Sequence, residues 1–188
     1  MKQRKGFTLI ELMIVIAIII ILAAIAIPNY LRMTERAKKA RISSDMASLA
    51  TGLEAFRTDW GLYPGNATAV PVDTTGSILY NELGGTGATG ATTNVAANTN
   101  IAGEKGPIEY IKPATLSSIV DPFKATGGGS TTTFDDGHVY YMSDATGAHW
   151  VLFAYTGTVT NPWMARYDSS STIKESAAAP TTDIPPTP

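Results

Sequence analysis

A run of apolar character extends from Phe7 to Ile27, holds a single charge at Glu11, and closes at Pro28. At about 1.5 Å per helical residue it reaches about 31 Å, enough to span the hydrocarbon of a bilayer. Beyond Pro28 the pattern changes. Ile42, Met46, Leu49, Leu53, Phe56 and Trp60 recur at spacings of three and four, which predicts that the helix continues to about Asp59 with one apolar stripe. The upper half should therefore pack on a globular head while the lower half projects from it. A coiled-coil seam would need heptads sustained over more repeats than this segment holds. Trp60-Gly61-Leu62-Tyr63-Pro64-Gly65 then ends the helix with glycine and proline.

Residues 65–107 are rich in Gly, Thr, Ala and Asn and read as a variable surface loop, with a short ordered piece at Ser77 to Leu83. Strand signals follow. His138 to Ser143 and His149 to Tyr155 are rich in Val, Tyr, Trp and Phe, and Asp144-Ala145-Thr146-Gly147 between them has the composition of a tight turn. A third strand is expected near Trp163 to Tyr167, and the antiparallel sheet over 138–168 should cover the helical stripe. From Ser169 the chain turns to Pro, Ala, Thr and Ser, a composition expected to form a flexible tail over 169–188. The fold class is α+β: a long N-terminal helix on a small antiparallel sheet. The expected divisions are 1–6, 7–28 as a membrane segment, 29–60 as its continuation, 61–168 as the head, and the tail.

The 188-residue chain has room for one anchor helix and one head, and a separate catalytic domain would not fit comfortably. With no cysteine it forms no disulfide and offers no thiolate nucleophile or ligand. Charge is divided along the chain: residues 32–57 carry a net of +3, whereas Asp59 to the end carries −7. Lys2, Arg4 and Lys5 lie on the other flank of the apolar run, so both flanks are basic and the positive-inside rule does not orient it.

A secretory signal peptide shares the basic start and offers Ala24-Ile25-Ala26 as a cleavage site, but its apolar core is about 7–15 residues and has no use for Glu11. Gly6-Phe7-Thr8-Leu9-Ile10-Glu11-Leu12, with Met13 to Ile18 and Ala23-Ala24-Ile25-Ala26-Ile27-Pro28-Asn29-Tyr30, instead resembles the N-terminus of type IV pilins and type II secretion pseudopilins. The resemblance implies that a prepilin peptidase removes residues 1–6 as a leader by cutting between Gly6 and Phe7, then methylates the amino group of Phe7. It also implies that Glu11 pairs with the amino terminus of a neighbouring subunit, that helix–helix packing builds a homopolymer, and that an inner-membrane assembly platform drives it; Pro28, as a proline inside the helix, is the expected site of a kink. Such a chain begins as a single-pass inner-membrane precursor with its head outside the cytoplasm and ends in a periplasmic or cell-surface filament. This chain carries Ile20 where these helices usually carry glycine, which should keep the segment continuously helical.

Physically, a carboxylate costs roughly 2.5 to 3.5 kcal/mol near the bilayer centre, so a cation supplied by a second copy turns its burial into a bias toward assembly. No nucleophile elbow, phosphate loop or dinucleotide fingerprint is present, and no enzymatic activity is expected. His138 and His149 lack metal-ligand spacing and read as strand-end surface residues. Calcium is the one ion to weigh, with Asp135, Asp136 and Asp144 around the hairpin as candidates; otherwise no cofactor is expected. Nucleic acid is not an expected partner, because the basic cluster adjoins the membrane segment and the head is acidic.

Two filament roles are open. Tyr63-Pro64 and Asp121-Pro122-Phe123 resemble the helix exit and sheet entry of major pseudopilins. The long loop and proline tail would suit the outer face of a surface pilus serving adhesion, motility or DNA uptake. A third reading, from another class, is a monomeric signal-anchored protein that holds a small ligand and has no need for Glu11.

Overall fold

The computed structural model describes residues 7–65, 69–74, 77–85, 108–123, 137–144, 147–156, 163–168 and 172–176. The chain divides into two compact units, residues 1–39 and 40–188. One helix, α1 (Leu9–Trp60), runs through both and continues through Pro28 with no break in its helical backbone.

In the first unit, α1 starts where the side chain of Thr8 turns back on the backbone. Thr8 Oγ1 accepts from the Glu11 N–H at 3.3 Å, while the Glu11 carboxylate accepts from the Thr8 N–H at 2.8 Å. This reciprocal capping box satisfies donors that every helix start leaves open. Beyond it the apolar side chains surround the helix on all sides, and eighteen large hydrophobic residues from Phe7 to Met33 are exposed. By length and composition α1 is the one helix among the described residues able to cross a membrane, and none of its most apolar window is buried.

The second unit is built on the upper part of α1. Ile42, Met46, Leu49, Leu53, Phe56 and Trp60 are all buried, as their spacing predicts, and Ala50 and Gly52 lie between them. Gly52 has no side chain for a physical reason: a Cβ there would sit 2.6 Å from Ile111 Cδ1. Ser77 caps α2 (Ile78–Gly84) by accepting the Tyr80 N–H. Gly85 ends it at φ 62°, a left-handed value that glycine adopts without strain. The chain returns past this end, with the Tyr110 and Ile111 N–H groups donating to Leu83 O, and forms the short α3 (Pro113–Leu116).

The sheet is an antiparallel meander in the order β1 (Val70–Pro71), β2 (Val139–Ser143), β3 (Trp150–Tyr155), β4 (Trp163–Tyr167), β5 (Lys174–Ser176). Register pairs Tyr141 with Leu152, and Phe153 with Ala165. Alternation sends Val139, Tyr141, Trp150, Leu152, Ala154 and Met164 into the core shared with α1. Tyr140, Met142, Val151, Phe153, Trp163 and Ala165 form a second buried cluster on the opposite face. Both faces of β2 and β3 are therefore covered, which is why their sequences read as continuous apolar runs rather than alternating ones.

The α+β layout expected from the sequence is observed, with two corrections. A flexible tail was expected from Ser169, yet Lys174–Ser176 pairs with β4, Trp163 opposite Ser176 and Ala165 opposite Lys174. An edge strand needs only one partner, so main-chain hydrogen bonds order three residues of low strand propensity. Within the region read as a loop, Val70 and Pro71 pair with Tyr141 and Tyr140. Proline is tolerated there because β1 is an edge. Residues 86–107 of the expected loop and 177–188 of the expected tail lie outside the described residues.

Candidate assembly segment

The segment singled out by the sequence comprises Phe7, Glu11 and the apolar helix as far as Pro28. Gly6 lies outside the described residues. Phe7 stands fully outward, 81 % exposed, directly before the capping box. Glu11 is held by Thr8 twice over, since the Thr8 hydroxyl also donates to the same carboxylate oxygen at 2.8 Å. One oxygen, Oε2, takes both of these bonds, and the carboxylate is exposed at the very start of the helix, where negative charge is favoured by the helix dipole.

This arrangement answers part of the question that Glu11 poses. A carboxylate in an apolar helix needs partners, and the chain supplies two from its own first turn. Reading the sequence for buried charge alone missed Thr8. The signal was there in Thr8-Leu9-Ile10-Glu11, the S/T-x-x-E pattern of a capping box in front of an apolar run.

Removing a large apolar side chain from water stabilises by about 1.5 to 3 kcal/mol. Eighteen such side chains on one exposed helix therefore make water an untenable surrounding for this segment. Bilayer lipid or other copies of the same helix are media that meet the requirement, because both offer apolar contact around the whole circumference.

The remaining candidates fall in the second unit. Asp135 and Asp136 lie outside the described residues. Asp144 serves the hairpin turn: its Oδ1 accepts the Ala148 N–H at 2.7 Å and the His149 N–H at 3.3 Å. Among the described residues, no group of three or more His, Asp or Glu side chains gathers at metal-binding distances. His138 and His149 stand immediately before β2 and β3, partly exposed, and each is paired. His138 Nδ1 sits 2.8 Å from Asp73 Oδ1, and His149 Nδ1 sits 2.7 Å from Asp168 Oδ2, with both aspartates partly buried. These pairs join residues far apart in sequence, so spacing along the chain carried no trace of them.

The two sequence steps near the sheet have structural work within the fold. Tyr63 OH donates to Glu54 Oε1 at 2.7 Å and accepts from Arg57 Nη1 at 3.0 Å, while the Arg57 guanidinium lies 5.0 Å from the ring centre. Burial, reinforced by the Glu54 hydrogen bond, pushes the Tyr63 phenol above its ordinary pKa. Pro64 O accepts from Tyr141 OH at 2.7 Å and from Ser143 Oγ at 3.0 Å, tying the helix exit to β2. Burial likewise drives the Tyr141 phenol upward. Asp121 is buried; its Oδ1 accepts the Phe123 N–H at 2.9 Å and its own N–H donates to Gly137 O, which sets the approach to β2.

Residues 1–27 match the family described as the prokaryotic N-terminal methylation motif. Among curated proteins, a fimbrial protein of Pseudomonas aeruginosa is 48 % identical over 82 residues, covering 44 % of this chain and 52 % of that protein. The type IV major pilin protein PilA of Myxococcus xanthus (strain DK1622) is 46 % identical over 61 residues, 32 % of this chain and 28 % of that one. Type II secretion system core protein G of Klebsiella pneumoniae is 36 % identical over 64 residues, 34 % of this chain and 46 % of its own. The match thus spans about half the length of these relatives or less. No solved structure matches the chain. The chain carries a prepilin-type N-terminus and is related both to type IV pilins and to the secretion core protein.

Proposed function

We propose that this protein is a non-enzymatic filament subunit, held in the inner membrane by α1 until it is processed before Phe7 and polymerised. The observation that carries the reading is the segment from Phe7 to Met33, whose large hydrophobic side chains are all exposed, with one carboxylate fixed at its start. In this reading prepilin peptidase cuts between Gly6 and Phe7 and methylates Phe7, and Glu11 meets the new amino terminus of a neighbour. Thr8 keeps the carboxylate on the helix start, so the partner cation approaches a group already turned toward the amino terminus. Assembly then exchanges lipid for packed helices and gives the acid a cationic partner.

The finer reading is a pseudopilus of type II secretion, lying in the periplasm. It is supported by the helix exit at Tyr63-Pro64 and the sheet entry at Asp121-Pro122-Phe123, both of which anchor the head. A surface pilus is the second reading, favoured by the higher identity to the fimbrial protein than to core protein G. The 82-residue match is also longer than residues 1–60, so it extends beyond the helix and its leader.

Mass spectrometry of the native N-terminus tests the processing step. A terminus at methylated Phe7 is expected; a terminus at Ile27 would mean signal peptidase and would end the filament reading. Immunogold microscopy separates the two roles: label on long external fibres excludes a purely periplasmic filament, whereas loss of protein secretion on deletion, without external fibres, supports the pseudopilus.

A further inference from the structure

Between the apolar surface of α1 and its head-packing stripe lies a cationic band that the filament reading leaves unused. Arg32, Arg36 and Lys39 follow one another at four and three residues, so the helix brings them to one side on successive turns. Lys39 forms an ion pair with Glu35 at 3.8 Å, while Arg32 and Arg36 are exposed. Apolar side chains continue among these cations: Tyr30, Leu31 and Met33 are 67 %, 60 % and 68 % exposed. A stretch that alternates exposed apolar groups with arginines suits neither bulk water nor hydrocarbon. It suits the boundary between them, where stems and rings meet acyl chains and charged heads meet phosphate.

The axial distances agree. If Ile27 marks the end of the hydrocarbon, Arg32 lies about 7.5 Å and Arg36 about 13.5 Å further along the helix. The headgroup region occupies about 5 to 8 Å on each side of the bilayer, so Arg32 falls at its outer limit and Arg36 reaches back to it along a flexible side chain. Guanidinium groups bind phosphate through paired hydrogen bonds, which favours arginine at such a position. The competing occupant is the acidic head of a second copy. Five of the described head carboxylates are however engaged within the head: Asp59 with Tyr110, Asp73 and Asp168 with histidines, Asp121 with the Phe123 N–H, and Asp144 with its turn.

We propose that Tyr30 to Lys39 is a binding band for anionic phospholipid headgroups on the membrane face beyond Pro28. Arg32 and Arg36 take the phosphates, and Tyr30, Leu31 and Met33 seat the helix in the interface. The band fixes the depth of the waiting subunit and opposes its withdrawal. This inference rests on the membrane-anchor part of the reading above. Once a leader holding Lys2, Arg4 and Lys5 is removed, the band is also the one basic flank that the apolar helix keeps.

The test places the full-length chain in nanodiscs of mixed phosphatidylcholine and phosphatidylglycerol and identifies the lipids that remain bound on ejection in native mass spectrometry. Phosphatidylglycerol should be enriched over its bulk share. Each interfacial cation contributes about 1 kcal/mol, or about fivefold, so Arg32→Gln with Arg36→Gln should lower the enrichment by about 25-fold. Arg32→Lys with Arg36→Lys should retain most of it, and Lys174→Gln, in the head, should leave it unchanged. A chain that enters nanodiscs but holds the two lipids in their bulk ratio overturns the inference alone. So does a double glutamine variant that keeps its enrichment, or one that loses self-association with no change in bound lipid. A chain that enters nanodiscs of neither composition overturns the anchor and the inference together.

Discussion

The lower and upper parts of α1 share one helical backbone and a rich supply of large apolar residues, yet they meet opposite fates. From Leu9 to Met33 the large apolar side chains surround the axis and all are exposed; from Ile42 to Trp60 the large ones form a stripe, and all are buried. Burial here follows from angular distribution rather than apolar content. A stripe can be covered by one sheet face and leave the rest of the helix in water, whereas an all-round apolar surface has no polar side to show and needs an apolar medium on every side. One part therefore contributes to the stability of a head, and the other to a choice of surroundings.

Several substitutions would break or sharpen that contrast. Glu11→Ala should reduce incorporation into sheared or sedimented filaments to background while the protein still fractionates with membranes; filaments at normal yield would leave the lower helix as a plain anchor. In the upper helix, Leu53→Ala opens a cavity at a fully buried site and should cost the head about 2 to 5 kcal/mol. Ile20→Ala, an equal loss of apolar volume in the lower helix, should change head stability by less than about 0.5 kcal/mol. Near-ultraviolet circular dichroism of the full chain in micelles reports both, and equal losses would dissolve the distinction. Asp144→Ala removes the acceptor of two turn N–H groups and should destabilise the head by about 1 kcal/mol by the same measurement.

The smallest expected effect is one of pH. Burial raises the Glu82 carboxyl above its ordinary 4.5. A carboxyl whose folded pKa is raised adds stability when protonated, present in full below the unfolded value and lost as pH rises through the folded one. Glu82→Gln should therefore stabilise the head slightly at neutral pH and flatten that part of its stability curve. A variant less stable than the parent at neutral pH would show the charge to be well accommodated.

Much of this fold was legible because its signals are local. The stripe at three and four residues named the buried face of α1 side chain by side chain, and the aromatic and β-branched runs located β2, β3 and β4. Glu11 stood out as the single charge in the apolar run, and Phe7 through the resemblance of Gly6 to Leu12 to prepilin-type N-termini. The strand β5 did not, because Lys174-Glu175-Ser176 has little strand character and is ordered by pairing with Trp163 to Ala165. The second buried face of the sheet was not foreseen: the sequence was read only for strands covering the helical stripe, and which residues turned which way depended on register. Thr8 was overlooked because its role depends on hydrogen bonds, not hydropathy.

Amphipathic period, helix length, the lone acid and the basic band are properties of neighbours along the chain, within a few residues' reach of one another, and for that reason they can be read without coordinates. Which aspartate meets His138, how Ile111 comes to lie against Gly52, and why a stretch of tail becomes a strand are matters of partners brought together from distant positions. Those depended on the packing of the whole head, where burial and pairing override the preference of any single segment.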